Sequence, residues 1–132
     1  MNLVNKYLFL SLFFVIGCSG NEENEVFIVG QDKIELQMVE AYNSGLQAFD
    51  EADYLTAAKK FNEAELLFPQ SDWAPKASLM AAYSYYVDDY NNDSIFQLEQ
   101  FIKAYPTNKR IPYAHYLLAM SYYNKIIDQK KD

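Results

Sequence analysis

The sequence contains little of what most enzymes and metal proteins require. Its 132 residues include one Cys and one His, which argues against an internal disulfide, a Cys-rich or multi-His metal site and His-based catalysis. Gly and Pro number four each, too few for a collagen-like or Pro-rich chain. The sequence shows no nucleophile–base pair, phosphate-cradling Gly-rich loop or paired-carboxylate motif. We therefore expect no catalytic residue, no metal site and no cofactor.

Positive charge is scarce as well. The chain has 11 Lys and Arg against 18 Asp and Glu, a net charge of −7, which argues against nucleic acid as a partner. Apolar and aromatic side chains are abundant instead: 51% of residues are hydrophobic, and 12 Tyr and 9 Phe dominate the aromatic fraction. That content excludes disorder for the chain as a whole and fits one small domain or a short repeat array.

The amino-terminal residues have the pattern of an export signal. A mostly apolar run over residues 7–17 is too short to span ~30 Å of hydrocarbon and has the length of a signal-peptide core. Residues 15–18, Val-Ile-Gly-Cys, resemble the bacterial lipobox, in which lipid alkylates the Cys and a peptidase cuts before it. The resemblance predicts a lipoprotein signal peptide over residues 1–17. It also predicts a diacylglycerol and an N-acyl chain on Cys18, which anchor the chain to a membrane.

Residues 18–31 are predicted to form the lipidated amino terminus and a flexible acidic tether. Glu22, Glu23 and Glu25 lie in a stretch that has nothing to bury. Residues 26–29 are apolar, and their pattern allows either docking on the domain or pairing as a strand. Ser19 follows the Cys, and by resemblance to enterobacterial sorting rules it favours the outer membrane.

From residue 32 onward the pattern is typical of short amphipathic helices separated by turns. Asp53, Ser71 and Asn108 are suitable N-caps. The prolines fall where helices begin or have just ended. The predicted helices span residues 33–50, 54–67, 72–88, 93–105 and 109–127.

A shift of 37 residues aligns the later parts of the chain with each other. It relates all four prolines, Pro69 to Pro106 and Pro75 to Pro112. An internal repeat of this length indicates a solenoid. The other identical pairs at the same shift are Ala77 and Ala114, Ala82 and Ala119, Ser84 and Ser121, Tyr85 and Tyr122, and Tyr86 and Tyr123.

The earlier part of the chain has the spacing of a tetratricopeptide unit, carried by Gly45, Ala57, Phe61, Ala64 and Pro69. Small side chains allow two antiparallel helices to approach closely, and Phe61 fills the gap between them. The expected fold class is therefore all-α, a tetratricopeptide-repeat α-solenoid of antiparallel helix pairs.

We expect this solenoid to occupy residues 32–132 and to stop after the first helix of the third repeat. Two full repeats span about 38–71 and 75–108, and a partial one spans 112–127. Each unit buries its apolar face only against its neighbours, and about three repeats are needed for stability. We therefore expect either the front part of a longer protein or a chain that needs a partner.

The first helix of each unit lines the concave face of a tetratricopeptide array, and this register predicts a peptide-binding groove. Tyr suits such a groove because it combines a large apolar ring with a polar tip. The alternative is that these side chains form core between helices. The predicted groove residues are Tyr42, Leu46, Phe49, Leu79, Tyr83, Tyr86, Tyr116, Met120 and Tyr123.

The body of the chain resembles the BamD family, outer-membrane lipoproteins of the β-barrel assembly machinery. The lipobox, the 37-residue period and the doubled Tyr-Tyr make the resemblance more specific than tetratricopeptide features alone. It covers nearly all of the chain after Cys18 but only the front half of the family. The residues that carry it are 41–45, 53–61, 79–86, 100–106 and 116–123.

The resemblance implies a non-enzymatic adaptor, lipid-anchored at the periplasmic face of the outer membrane of a Gram-negative bacterium. Its implied partners are BamA, other lipoproteins of the machinery, and unfolded outer-membrane proteins whose signal segments end in an aromatic residue. Two alternatives stay open: another periplasmic tetratricopeptide lipoprotein that scaffolds cell-wall or Tol–Pal partners, and a tethered accessory domain of an envelope enzyme.

Overall fold

Five helices joined by short turns make up the secondary structure of residues 22–128 and 130, which the computed structural model describes. Contacts divide the chain into two units, residues 1–30 and residues 31–132. The helical hairpins and their core lie in the second unit. The predicted all-α class is confirmed. The helices are α1 (Glu22–Asp50), α2 (Tyr54–Leu67), α3 (Ala74–Val87), α4 (Asn91–Ala104) and α5 (Ile111–Asp128).

The first helix begins earlier than the sequence pattern predicts. Residues 22–31, assigned above to a tether, are helical in the structure, so residues 26–29 do not form a strand. The segment contains no Pro and several Glu near its amino end, and acidic residues there favour a helix N-terminus. The predicted signal peptide (1–17) and the lipidated Cys18 lie outside the described residues and stay predictions.

Polar side chains precede three of the later helices, and two of these helices, α3 and α5, begin two residues later than predicted. Asp53 caps α2 as predicted, since its carboxylate accepts a hydrogen bond from the Thr56 N–H at 3.1 Å. Ser71 instead accepts from the Ala74 N–H at 3.1 Å from within the turn before α3. Asn108 likewise accepts from the Arg110 N–H before α5 begins. These two residues therefore shape the turn that leads into the helix rather than the cap.

The 37-residue repeat is a repeat of geometry as well as of sequence. The turn inside the first hairpin holds Ala52 at φ 61°, and its equivalent in the second hairpin, Asp89, has φ 59°. In the paired helices, the Ser84 hydroxyl donates to the Met80 carbonyl at 2.8 Å. The Ser121 hydroxyl, 37 residues later, donates to the equivalent carbonyl of Leu117 at 2.9 Å. The predicted repeat is thereby confirmed.

Close packing of α1 against α2 depends on the missing side chain of Gly45. A Cβ built on Gly45 would lie 2.8 Å from two atoms of the Phe61 ring. Phe61 is fully buried together with Ala57, in a cluster that includes Ala48 and Ala81. As the spacing predicts, the small residues allow α1 and α2 to approach closely, and the Phe61 ring fills the space between them.

A second apolar cluster joins the second hairpin, α3 and α4, to α5. Leu79 and Ala82 of α3 and Leu98 and Phe101 of α4 pack with Ala114 of α5. Inside this region the Ser94 hydroxyl donates to the Ala82 carbonyl at 3.1 Å and lies 3.0 Å from the Ser121 hydroxyl. Each helix pair thus buries apolar side chains against the next element along the chain, as a solenoid requires. Among the described residues, no helix has the length and apolar character needed to cross a membrane.

Candidate binding groove

The first helices of successive units stand next to one another and enclose a cavity of about 380 Å³. Helix α1 contributes one wall, α3 forms the floor, and the start of α5 closes the other side. The mixture of aromatic, aliphatic and basic side chains is typical of a binding pocket. The lining residues are Tyr42, Lys76, Leu79, Met80, Tyr83, Arg110 and Tyr113.

Aromatic rings continue from the cavity along α1 and α3. Tyr83 stacks on Phe49 with ring centroids 5.7 Å apart, and Tyr86 continues the stack at 6.4 Å from Tyr83. Phe49 also meets Tyr54 edge to face at 5.0 Å. Contacts of this kind hold rings in fixed orientations, so the apolar surface of the groove is largely pre-formed.

One end of the cavity is cationic. Lys76 lies in the first turn of α3, and its Nζ is 4.3 Å from the centroid of the Trp73 ring. Arg110 comes from the turn directly before α5, and its charge acts on the Tyr42 hydroxyl. Within the part of the chain that the structure describes, neither cation forms an ion pair. No acidic side chain is among the described residues that line the cavity.

Two phenols at the cavity, those of Tyr42 and Tyr113, have a raised pKa and stay protonated at neutral pH. Burial raises the pKa of Tyr42, and the nearby Arg110 charge opposes that rise. Burial also raises the pKa of Tyr113, and the neighbouring hydroxyls of Tyr83 and Tyr116 raise it further. Each of these hydroxyls can therefore donate one hydrogen bond to a bound chain and accept others.

The structure brings some of the predicted groove residues together and separates others. Tyr42, Leu79 and Tyr83 line the cavity, although Leu79 is only 6% exposed and packs in the core as well. Phe49 and Tyr86 extend the aromatic surface. Three others, Leu46, Tyr116 and Tyr123, are exposed, and Met120 is half-buried. None of these last four lines the cavity; Tyr116 adjoins it through its ring contact with Tyr113, at 6.4 Å.

Four lining residues were missed by the sequence reasoning: Lys76, Met80, Arg110 and Tyr113. Lys76, Met80 and Tyr83 lie at helical spacing on α3, so a search of that face for basic as well as aromatic residues finds Lys76 and Met80. Tyr113 is the equivalent of Lys76 after the 37-residue shift, which is also visible in the sequence. Arg110 lies in a turn, outside any helical register, and no sequence signal places it.

The doubled tyrosines of the repeat face in two directions. Tyr86 stacks along the groove, whereas the Tyr85 hydroxyl faces Asn62 of α2, whose side chain lowers the Tyr85 pKa against the larger rise caused by burial. The equivalent of Tyr85, Tyr122, donates to Glu99 of α4 at 2.8 Å. One tyrosine of each pair therefore faces the second helices of the hairpins rather than the groove.

Comparison with known proteins places these hairpins in a family. A family model described as YfiO, outer membrane lipoprotein, matches residues 34–132. An outer membrane protein assembly factor BamD from Caulobacter vibrioides is 30% identical over 118 residues, which cover 89% of this chain and 37% of that protein. The BamD of Rickettsia prowazekii is 36% identical over 91 residues, covering 69% of this chain and 36% of that protein.

The BamD of Neisseria gonorrhoeae is 29% identical over 84 residues, covering 64% of this chain and 32% of that protein. The chain thus spans about a third of the length of the curated relatives it matches. No solved structure matches significantly. The family match includes four of the five helices and most of α1, together with every residue that lines the cavity. On this match, the chain belongs to the YfiO family of outer membrane lipoproteins.

Proposed function

We propose that this chain is a non-enzymatic adaptor in the assembly of outer membrane proteins, and that it binds unfolded segments of its substrates in the aromatic groove. The observation that carries the proposal is the cavity of about 380 Å³ shared by Tyr42, Tyr83 and Tyr113 on the first helices of three successive units. Family membership and the name of the relatives, outer membrane protein assembly factor, support the assembly role.

The chemistry of the groove suits an extended polypeptide. Tyr rings provide large apolar contact area and lose little conformational entropy on binding. Because Phe49, Tyr83 and Tyr86 already stack on one another, a ligand does not have to order them. Hydroxyls at the rim can pair with the backbone of a segment that has no secondary structure of its own.

The proposed partners are BamA and other lipoproteins of the assembly machinery. The resemblance assigns the main BamA contact to rear repeats of the family, so BamA binding by this chain is best tested directly. Pull-down from a bacterial envelope extract is expected to recover BamA. Recovery of cell-wall or Tol–Pal proteins without BamA would instead favour the alternative scaffold function.

The proposed location is the periplasmic face of the outer membrane, with lipid on Cys18 as the anchor. Two or more acyl chains hold a protein stably on a bilayer, at ~0.8 kcal/mol per buried CH₂. We expect Cys18→Ser to move the protein from the membrane fraction to the soluble periplasmic fraction. A Cys18→Ser protein that still pellets with membranes would show that something other than lipid holds it there.

The groove assignment is tested with Tyr83→Ala and a matched control, Tyr122→Ala. Tyr83 lines the cavity, whereas the Tyr122 hydroxyl bonds to Glu99 on α4. Fluorescence anisotropy with a labelled peptide from an unfolded barrel protein is expected to show roughly thirtyfold weaker binding for Tyr83→Ala, equivalent to the ~2 kcal/mol of an interface hot spot. The control is expected to bind like the wild type.

Because Tyr83 also packs against core residues, each variant is first checked for its helical circular dichroism and melting temperature. Tyr113→Ala, at a position that is 44% exposed, provides a second groove variant with a smaller structural role. Unchanged affinity in both groove variants, with the fold intact, would refute the assignment.

A further inference from the structure

Helix α5 exposes a largely aromatic face that contains no Lys, Arg, Asp or Glu. Its other side packs on α3 and α4, where Ala114, Leu117 and Ser121 are buried. A surface helix ordinarily turns charged side chains outward, but the two charged residues of α5, Lys125 and Asp128, stand about 120° and about 180° around the helix from the centre of this face. The exposed face consists of Pro112, His115, Tyr116, Ala119, Tyr122, Tyr123 and Ile126.

The preceding unit shows how the equivalent face of α3 is covered. The 37-residue shift relates Ala119 to Ala82 and Tyr116 to Leu79. Ala82 is fully buried and Leu79 is 6% exposed, in a cluster with side chains of α4, and the Ser94 hydroxyl of α4 lies 3.1 Å from the Ala82 carbonyl. Ala119 is exposed, and Tyr116 is 60% exposed. The same helical positions therefore have a covering helix in α3 and none in α5 within the described residues.

The exposed face of α5 is symmetric about Ala119. The other six residues fall into pairs at equal distances before and after it along the chain: Tyr116 and Tyr122 at three residues, His115 and Tyr123 at four, and Pro112 and Ile126 at seven. All six lie within about 60° of Ala119 around the helix. A surface of this kind is complementary to itself, as an interface between two identical chains related by a two-fold axis has to be. A different protein would require no such symmetry.

We propose that this face of α5 binds a second copy of the chain, with the two α5 helices antiparallel and in closest approach at Ala119. Tyr116 of one copy then lies beside Tyr123 of the other. The small side chain of Ala119 admits the second backbone, as the equivalent Ala82 admits α4. None of the seven residues lines the groove cavity, so the interface is separate from the proposed peptide site.

The exposed area of the face sets the strength of the pair. Tyr116, Tyr122 and Tyr123 are 60%, 42% and 58% exposed, and Ile126 is 51% exposed. At about 150–250 Å² for a whole aromatic side chain, these four residues offer roughly 400 Å² per copy, or about 800 Å² for the pair. The three smaller residues add to this area, which places the interface at the low end of specific interfaces. We therefore expect a dissociation constant in the micromolar range.

The test measures the mass of the full chain by light scattering after gel filtration. The chain carries Cys18→Ser, which removes its one cysteine, and is loaded at about 1 μM to about 300 μM, a range that brackets micromolar affinity. We expect the mass to rise with concentration from one chain of 15.3 kDa towards two.

Ala119→Glu places two like charges at the centre of the pair and is expected to weaken association by at least about tenfold. Ala119 is exposed, so the variant is expected to keep its helical circular dichroism. Leu66→Glu is the matched control, because it introduces the same charge at a 79% exposed apolar residue of α2. We expect this control to associate like the unchanged chain.

Disulfide formation between copies tests the antiparallel arrangement. Ala119→Cys in the Cys18→Ser chain is expected to cross-link under mild oxidation, since the two-fold axis brings residue 119 next to its own equivalent. Tyr123→Cys is not, because antiparallel helices place the two copies of residue 123 roughly 12 Å apart along the helix axis.

A chain that stays monomeric at every concentration would overturn the proposal and leave the face to a further helix or to another protein. A dimer that persists in Ala119→Glu would show that the copies meet elsewhere. Cross-linking through position 123 in place of 119 would overturn the antiparallel geometry. Each of these outcomes leaves the peptide affinity of the groove, measured separately, unaffected.

Discussion

Replacement of Gly45 by Ala tests the packing on which the repeat depends. The new Cβ would lie 2.8 Å from two Phe61 ring atoms and 3.1 Å from a third, and the ring is fully buried. The ring has little room to retreat, because Tyr42 meets its edge at 5.2 Å and three alanines surround it. Overpacking of this kind costs about 1–3 kcal/mol, whereas Gly→Ala inside a helix gains about 1 kcal/mol in propensity. We expect Gly45→Ala to lower the free energy of unfolding by about 1 kcal/mol, net of these two effects.

Gly30→Ala separates the two contributions. Gly30 is also helical, and nothing lies within 4 Å of an added Cβ there, so this variant shows the propensity effect without the contact. Urea unfolding followed by circular dichroism measures both variants, and a loss of about 1 kcal/mol lowers the melting temperature by roughly 4–8 °C in a domain of this size.

A double-mutant cycle with Phe61→Leu identifies the cause. A smaller side chain at position 61 makes room for the methyl group that Gly45→Ala adds, so the double variant is expected to lose about 1 kcal/mol less than the sum of the single losses. If Gly45→Ala is as stabilising as Gly30→Ala, or if the two changes at positions 45 and 61 are additive, the close approach of α1 and α2 at Gly45 is not what limits the side chain there.

Two further predictions concern polar contacts between hairpins. Ser94→Ala and Ser121→Ala are each expected to lower the free energy of unfolding by about 1 kcal/mol, the usual net value of a hydrogen bond. The two hydroxyls lie 3.0 Å apart, and since each has one proton, one of them bonds to the other only by giving up its carbonyl acceptor. Because the two serines share this network, the double variant should lose less than the sum; additive losses in urea titrations would argue against a bond between them. The Tyr105 hydroxyl donates to Glu65 at 2.8 Å, and burial, followed by this hydrogen bond, raises the Tyr105 pKa above its ordinary value of 10.0. The folded state therefore holds this proton more tightly than the unfolded state. The protonated Tyr105 hydroxyl makes its full contribution to the free energy of unfolding below about pH 10, and this contribution is lost as the pH rises above that value. Tyr105→Phe should show a smaller loss in urea midpoint between about pH 9 and pH 11 than the wild type, and identical losses would contradict the assignment.

The helical part of the fold was predictable because it depends on local spacing. Each hairpin is specified by small residues, a central aromatic or aliphatic residue and a terminal proline, all within about one repeat length of each other. Gly45 and Phe61 meet as their spacing predicts. The predicted starts of helices were less accurate, since Ser71 and Asn108 hydrogen-bond within turns before the helix rather than at the cap.

The direction of side chains on α3 was only partly predictable. Helical spacing places Leu79, Tyr83 and Tyr86 on neighbouring positions, and the sequence allowed either groove or core for them. The structure shows that the two roles overlap: Leu79 is nearly fully buried yet borders the cavity, and Tyr83 is half-buried, packs on the core and also lines the cavity. A residue that lies between the core and the groove contacts both, so helical periodicity cannot assign it to only one of them.

The amino-acid pattern alone was sufficient to predict the helix pairs, because each pair depends on contacts between residues close together along the chain. The 37-residue period and the family resemblance could likewise be read directly from the order of residues. The cationic end of the groove has a different origin. Tyr42, Lys76 and Arg110 are separated by more than 30 residues from one another and line one cavity only after three units have stacked. The angle and spacing between hairpins place them there, and those quantities arise from the packing of whole helices rather than from any local motif.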